Sequence, residues 1–447
     1  MRTTGTARST WTSGDAVIFE GGMPNSGVPS GRMPNDRMPN DRMPNGRMPN
    51  RRMSSGVRSK AERWEQRVQL GAHPLLYPAI RGLGSIRPVM RLPGLGILVS
   101  EAALVREVLK DSQRFIKNGP SGSGALWTPV VGPKALVNMD GAEHRELRRK
   151  LADLFTPGSV AAIVEPAADS LHDRLHHGLD AGGHVDLVDC VKELAGGVIS
   201  RLLGVPDDAP GRLPNRELFN LGSSISSLVR LGRPTLTERQ IAKGRSAVGV
   251  LAGPARVAYR KSDSQTFPGR LRALGMTEEE AMGIVSAFVM VGTETLVSFV
   301  PRLIALLADS GRIEGLVEDR SGVPSAVNEG LRFTAPSPMM LRDVVSPCTL
   351  GGVAIRAGDR LLLSTVHASK SLGGFEPGIP IPPHARQLWF GAGPHFCIGM
   401  PLAMAEINAT LSLLLDRYAR HPWVVSSRQV SRGVLIPGYR KLELANA

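Results

Sequence analysis

The hydrophobic pattern changes character near residue 60. Upstream of it, residues 23–53 carry a degenerate five-residue repeat, MPNSG followed by RMPND, RMPND, RMPNG and RMPNR. A proline every five residues removes helical hydrogen bonds and interrupts sheet ladders. So polar a stretch has little to bury, and residues 1–60 are expected to be a disordered low-complexity tail. The plain reading is a linker, or sequence upstream of a start at Met53; a partner-binding tail is the alternative. Downstream, apolar residues take up regular spacings. AERWEQRVQLG has helical periodicity, and PVMRLPGLGILVSEAALVREVLKD reads as strand, turn, strand and helix. NGPSGSGALWTPVVGPKALVNM is expected to be a long Gly/Pro-rich loop, a length often given to binding elements. DGAEHRELRRKLADLFTP should start at an Asp/Gly cap and run as a helix to Pro157.

Several helices follow up to residue 310, and one is long. MTEEEAMGIVSAFVMVGTETLVSFVPRLIALLADS opens with a capping box, Thr277 and Glu280. Its middle is apolar on every side, which places it through the centre of the molecule. VPSAVNEGLRFTAP is a further helix, MLRDVV and CTLGGVAIRAGDRLLLS are short strands with turns, and an irregular stretch reaches Trp389. LAMAEINATLSLLLDRYARH closes the series as an apolar helix. The fold class is therefore mainly α with small β-sheets at both ends, in a single domain over 61–447.

Composition narrows this picture. Apolar residues make up 42% of the 447 and aromatics only 4%, so aliphatic packing dominates. Three cysteines, Cys190, Cys348 and Cys397, are too far apart for a disulfide framework or a CxxC metal site, which suits a reducing cytoplasm. No run of eighteen or more apolar residues suggests a membrane span, and the N-terminus lacks the apolar region of a secretory signal. The net charge of +14 includes +6 from residues 1–60, which hold ten Lys/Arg and four Asp/Glu. The remainder is spread among acids without the aromatic-studded basic stripe of a nucleic-acid binder. It suits docking of an acidic protein partner.

Three features carry chemistry. Thr293, Glu294 and Thr295 interrupt the apolar run of the long helix, where an unpaired carboxylate is costly. Either the hydroxyls bend the helix through a carbonyl one turn back, or the hydroxyl and carboxylate relay protons to a bound group. Gly292, at the same level, lets something approach the backbone. Glu329 and Arg332 share a helical face and can pair, on its own a common surface decoration. FGAGPHFCIG, residues 390–399, sets Cys397 among glycines that permit unusual backbone angles, with the N–H groups of Ile398 and Gly399 placed to point at its sulfur. Such donors favour a thiolate. One thiolate cannot hold zinc or a cluster, but it can be the single axial ligand of a haem iron.

Taken together, the three features resemble the cytochrome P450 superfamily of bacterial soluble type. FGAGPHFCIG fits that family's cysteine loop, NEGLR its ExxR pair, VGTET its oxygen-activating stretch, and DGAEHRELRRKLADLFTP its HxxxR helix, in the right order over residues 61–447. The resemblance implies haem b (iron protoporphyrin IX) as cofactor and Cys397 as the proximal iron ligand, its thiolate favouring O–O cleavage. Phe390 would shield the sulfur and Gly399 belongs to the same loop. His144, Arg148, Arg342 and His395 would bind the haem propionates. Glu329 and Arg332 would be a structural ion pair. Glu294 and Thr295 would deliver protons on the distal side. Leu126, Trp127, Val131, Phe288, Met290, Val291, Met339 and Met340 lie where family members contact substrate.

The sequence also departs from that pattern. Val291 replaces a small residue before Gly292, narrowing the space above the iron. TVHASKSLGG lacks the usual Asn-Arg-Asp trio, leaving Arg386 or His384 to complete the Glu329–Arg332 brace. Met404 replaces an arginine in the last helix, and Asp343 follows Arg342 where a small or apolar residue is usual. The implied activity is dioxygen-dependent oxidation of an apolar or amphipathic small molecule of secondary metabolism. A ferredoxin and its reductase would supply electrons in the cytoplasm, since no reductase is fused to the chain. Oxidative coupling or ring closure would use the same apparatus. Glu294–Thr295 argues against a peroxide-driven enzyme and against a haem-binding sensor without turnover.

Overall fold

The computed structural model describes residues 58–181, 183–209, 212–229 and 235–447. The chain divides into Met1–Asn50 and Arg51–Ala447, and every described residue belongs to the second unit. The expected tail lies outside the described residues except for its last three. Of these, Ser59 caps the first helix in a reciprocal box with Glu62, so that helix begins at Lys60.

Helix α1 (Lys60–Ala72) is followed by α2 (Leu76–Ile86), a helix not among the expected elements, then β1 (Val89–Leu92), β2 (Gly96–Val99), α3 (Ala102–Lys110) and β3 (Phe115–Ile116). The expected long loop is instead mostly ordered. It holds α4 (Ser123–Val131), with Pro129 inside it, and a 3-10 turn at Leu136–Asn138. The next helix, α5 (Gly141–Leu151), stops short of Pro157, the chain tightening into a 3-10 turn over Ala152–Phe155. Then come α6 (Pro157–Ala181), β4 (His184–Asp186), α7 (Leu187–Leu202), α8 (Asn215–Ser226), α9 (Glu238–Lys261) and α10 (Phe267–Ala273).

The central helix α11 (Glu278–Asp309) opens on the Thr277–Glu280 capping box. It packs against α7, α8, α9, α13 and α15 and contributes much of the main apolar core, where Leu303, Ile304 and Leu307 are fully buried. By length and composition this helix could cross a bilayer, but 67% of its most apolar window is buried inside the protein. Core burial explains the same apolar sequence.

The remaining elements are α12 (Ile313–Glu318), α13 (Val323–Thr334), β5 (Met340–Val344), β6 (Cys348–Leu350), β7 (Val353–Ile355), β8 (Arg360–Leu363), α14 (Thr365–Lys370), α15 (Met400–Arg420), β9 (Trp423–Val430) and β10 (Tyr439–Asn446). The largest sheet has the order β1-β2-β8-β5-β3, with β2 and β8 parallel and the other pairs antiparallel. It brings strands from residues 89–116 together with strands from residues 340–363 and holds β5, the strand of Arg342, beside β3, whose following residue is Lys117. A three-stranded sheet β4-β10-β9 and the hairpin β6-β7 complete the small β content.

Candidate haem-thiolate site

The cysteine loop is built by two left-handed glycines. Gly391 has φ +83° and Gly393 φ +63°, and a Cβ at Gly393 would stand 2.8 Å from the Leu109 carbonyl oxygen. The Cys397 N–H donates to the Phe390 carbonyl at 2.9 Å, closing the loop on itself. Gly399 plays a different part from the one expected. Its φ is an ordinary −81°, and it is the N-cap of α15. The N–H groups aimed at the sulfur belong to Gly399 and Met400, not to Ile398 and Gly399. They are the first donors of α15, so the cysteine sits at the positive end of a helix. Burial pushes the thiol's pKa up, opposed by the Gly399 N–H, Arg148, Lys117 and the Met400 N–H. A metal at the sulfur would complete the deprotonation that these groups favour.

Around the loop lies a cluster of positive groups with too few acids. Arg342, on β5, is 4% exposed, and its guanidinium makes a single hydrogen bond among the described residues, to the Leu341 carbonyl at 2.8 Å. Burial lowers its pKa to about 10. Arg148 on α5, lowered by burial, and Lys117 form no salt bridge among the described residues. His144, one turn before Arg148, is buried and lies 4.2 Å from the His395 ring, centroid to centroid. Burial, with His395, Lys117 and Arg148 adding repulsion, brings His144 down to about 3. Burial likewise holds His395 near 4.

The carboxylate in the middle is Asp140. It occupies the N-cap position of α5, but its side chain does not cap that helix. One oxygen pairs with His395 Nε2 at 2.7 Å, and the other accepts the N–H groups of Lys117 (2.7 Å) and Asn118 (2.8 Å). Burial opposes its ionisation, but these three bonds hold its pKa below the usual carboxylate range. One ring nitrogen of His395 is thus committed to Asp140. The buried Arg342 and the half-buried Lys117 and Arg148 still outnumber Asp140, and partly desolvated cations in that excess call for further anions. The two carboxylates of a haem fit the demand, with their charges and with the number of donors left free.

The central stretch of α11 supplies a second surface. Between residues 284 and 300 every side chain is buried except at Phe288, Val291, Gly292, Glu294 and Thr295. Positions 288, 291, 292 and 295 form one helical face, and Val291 is 46% exposed in the midst of the core helix. A Cβ at Gly292 would touch nothing within 4 Å. The Thr295 hydroxyl reaches the Val291 carbonyl at 3.4 Å, and the buried Thr293 reaches that of Met290 at the same distance. Glu294 points elsewhere, its carboxyl accepting from the Ser223 hydroxyl of α8. Burial raises its pKa, countered by Ser223 and by Lys192 of α7. The expected acid–alcohol pair is thus split, Thr295 on the open face and Glu294 docked on a neighbouring helix.

Glu329 and Arg332 pair bidentately at 2.7 Å, with side chains 2% and 0% exposed. The pair also binds backbone. Arg332 donates to the Ser369, Gly373 and Gly374 carbonyls, and Glu329 accepts the Glu376 N–H at 2.8 Å. Arg386 and His384 are exposed, and their carbonyls accept from Arg106. A second buried network was not anticipated. Arg302 on α11 pairs with Glu65 on α1, and Lys370 joins at 3.3 Å from Glu65. Arg302 gave no motif; the available signal was a guanidinium inside an otherwise apolar helix.

The anticipated substrate contacts divide into two groups. Leu126 is buried, Val131 and Met290 are buried in the main core, and Phe288 packs on Phe155 and Phe267 at 5.3 and 5.4 Å between ring centroids. Trp127, Met339 and Met340 remain half-buried, and Val291 is exposed.

Comparison with known proteins places this geometry. The family model described as Cytochrome P450 matches residues 380–432, the segment of the cysteine loop, α15 and β9. The chain is 30% identical over 303 residues to the C-19 steroid 1alpha-hydroxylase of Sorangium cellulosum, covering 63% of this chain and 73% of that one. It is 29% identical to the cytochrome P450 monooxygenase PikC of Streptomyces venezuelae, covering 70% and 75%. The chain belongs to the bacterial cytochromes P450. The erythromycin C-12 hydroxylase of Saccharopolyspora erythraea is 27% identical, covering 71% of this P450 and 80% of the relative. The structure of a mutant of P450 EryK in complex with erythromycin B superposes with a TM-score of 0.72 at 24% identity, covering 87% of this chain and 98% of that one. CalO2 gives 0.71 at 22%, with coverages of 84% and 96%. This P450 is accordingly a haem-dependent monooxygenase, using dioxygen, an organic substrate and an external redox partner.

Proposed function

We propose that Cys397 is the axial ligand of the haem iron, and that His144, Arg148, Arg342 and His395 hold the propionates. The observation that carries this reading is the excess of positive charge around Cys397, from the buried Arg342 and the half-buried Arg148 and Lys117, beside a thiol at the N-terminal end of a helix. Bound there, haem supplies the iron on which dioxygen is reduced and its O–O bond broken. The residues of the chain do the rest. Gly399 and Met400 N–H groups stabilise negative charge on the sulfur, and Phe390 covers that side of the loop. Glu329 and Arg332 brace the segment leading into it. On the other side, Gly292 leaves the helix backbone accessible. The Thr295 hydroxyl holds a proton at the open face, and Glu294 is the acid that replenishes it when its carboxyl leaves Ser223.

The substrate we propose is an apolar or amphipathic small molecule of secondary metabolism, hydroxylated at carbon. In support, the positions left uncovered near the site are Val291, Trp127, Met339 and Met340, and the relatives named above include a C-19 steroid 1alpha-hydroxylase and an erythromycin C-12 hydroxylase. Methionines adapt to a ligand more than they select it. A ferredoxin with its reductase would deliver electrons in the cytoplasm to a single catalytic domain formed by 61–447, with Lys and Arg on the cysteine side facing an acidic donor.

The test is a carbon monoxide difference spectrum of the reduced protein, with turnover in a reconstituted ferredoxin system. Wild type should show the Soret band of thiolate ligation, and Cys397→Ser should lose it. Thr295→Ala should keep that band but consume oxygen and reductant with little product. A thiolate band in Cys397→Ser would remove Cys397 from the iron. Full coupling in Thr295→Ala would remove the hydroxyl from proton delivery.

A further inference from the structure

Two features flagged separately, the unusual Asp343 and the Gly-rich stretch after β3, meet in space. The segment 117–124, KNGPSGSG, is held from two sides. Asp140 accepts the N–H groups of Lys117 and Asn118, and Asp343 accepts the N–H of Ser121 at 3.1 Å. Inside the segment, the Gly122 N–H reaches the Gly119 carbonyl at 3.0 Å, and the Gly124 N–H reaches the Lys117 carbonyl at 2.8 Å. The packing leaves no slack. A Cβ at Gly119 would fall 2.1 Å from the Asp343 carboxylate, and one at Gly122 would fall 2.2 Å from the Lys117 carbonyl oxygen. Asp343 itself is 4% exposed. Glycine-rich sequence, ordinarily the most mobile kind, is here fastened by two buried carboxylates and their charge-assisted bonds.

The fastened segment aims one charge. Lys117 donates its N–H to the same Asp140 carboxylate that holds His395, and its half-buried side chain interacts electrostatically with Arg342, Cys397 and Arg148, so its ammonium lies beside the positive cluster. Burial brings it down to about 7, with Arg342 adding to the effect. It makes no salt bridge or side-chain hydrogen bond among the described residues, although its own backbone N–H is bound. A partly desolvated cation beside other cations is stabilised by an anion arriving from outside the chain.

We propose that Lys117 is a further haem-binding residue, donating to a propionate, and that Asp343 is the positioning residue that holds its loop in place. The proposal rests on haem occupying the Cys397 site as described above. It gives Asp343 a purpose that a small or apolar residue there could not serve. It also ties α4, which begins at Ser123, to the cofactor: the loop that presents Lys117 leads directly into the helix that carries Trp127.

The test uses the haem-loaded protein, following transfer of ferric haem to excess apomyoglobin and hydrogen exchange at the Lys117, Asn118 and Ser121 amides. Lys117→Met should speed haem loss roughly tenfold or more, the effect of one charged hydrogen bond, and Lys117→Arg should restore most of it. Asp343→Leu should deprotect the Ser121 amide and also speed haem loss. Asp343→Asn keeps an acceptor oxygen and should protect that amide nearly as wild type does. Wild-type haem retention in Lys117→Met overturns the ligand assignment, and unchanged Ser121 protection in Asp343→Leu overturns the clamp. Absence of a thiolate spectrum in wild type would instead sink the underlying reading of the site, an outcome separable from both.

Discussion

At the scale of single residues, Glu406 shows how the surroundings of the site store pH sensitivity. It lies on α15, nine residues after Cys397, is 5% exposed, and makes no side-chain hydrogen bond among the described residues. Burial alone lifts its pKa to about 8 from an ordinary 4.5. Such a carboxyl keeps its proton in the folded protein while the unfolded chain releases it. The folded state therefore binds more protons between pH 4.5 and 8, and stability must fall as pH rises through that window. The slope from this one group approaches 1.4 kcal/mol per pH unit, so a few kcal/mol are at stake overall. Glu406→Gln should flatten the decline, and urea unfolding at pH 5.5, 7 and 8.5 reads it directly. An unchanged slope in the variant would show that the carboxyl finds solvent or a partner on folding.

At the scale of elements, the meeting of α8 with α11 governs the proton-delivering acid. Ser223 donates to Glu294, and Ser226, one turn on, donates to the Met290 carbonyl at 2.9 Å. Gly222 makes this close approach possible, since a Cβ there would lie 3.0 Å from Val289 Cγ1 and 3.1 Å from Thr293 Cγ2. Ser223→Ala removes a bond that favours the ionised carboxyl, so the already raised pKa of Glu294 should climb further. The sign for stability follows: the protonated form is the one suited to the fold, and the loss of stability above pH 4.5 should become steeper. Infrared absorption of the protonated carboxyl, identified by its disappearance in Glu294→Gln, should persist to higher pH in Ser223→Ala than in wild type. Persistence to lower pH would mean that the carboxyl had swung into water on losing Ser223. Gly222→Ala should cost about 1–3 kcal/mol by overpacking and weaken the same contact.

At the scale of the whole molecule, what could be read from the sequence follows from how local each signal is. The central helix announces itself by its capping box and unbroken apolar run, and the cysteine loop by the fixed spacing of its glycines. Both signals lie within a few turns of chain. Glu294 and Thr295 were legible as polar residues in an apolar helix, but their divergence was not, because Ser223 lies 71 residues away. Asp140 read as a helix cap because the residue type and position suit one. Its actual partners, His395 and the amides after β3, come from distant chain. The ordered α4 was hidden by a composition typical of loops, because the fastening of the preceding glycines is done by Asp140 and Asp343. Long-range pairing is likewise what conceals the Glu65–Arg302–Lys370 network.

That network sets the last expectation. Arg302 binds Glu65, the Pro437 carbonyl at 3.2 Å, the Ser298 hydroxyl at 3.3 Å and the Thr334 carbonyl at 2.9 Å. Glu65 also accepts from Gln69 at 3.0 Å and from Lys370, whose ammonium sits 4.7 Å above the Phe333 ring. Burial disfavours the Glu65 charge, but Arg302 and Lys370 prevail and hold its pKa low. Removing Glu65 strands the buried Arg302 and deprives the half-buried Lys370 of its carboxylate. Glu65→Ala should therefore cost about 3–5 kcal/mol, whereas replacing both Glu65 and Arg302 by leucine should recover much of the loss, since the desolvation of both charges is then relieved. Arg332 donates to the Ser369 carbonyl at 2.6 Å, next to Lys370, so α14 is shared between this network and the Glu329–Arg332 brace. Loss of Glu65 should accordingly loosen the brace and hasten haem release, while the paired leucine variant retains haem better than the single one. Urea unfolding and haem transfer on the same three proteins decide the matter: a Glu65→Ala variant within about 1 kcal/mol of wild type would show that Arg302 is satisfied by its carbonyl partners alone.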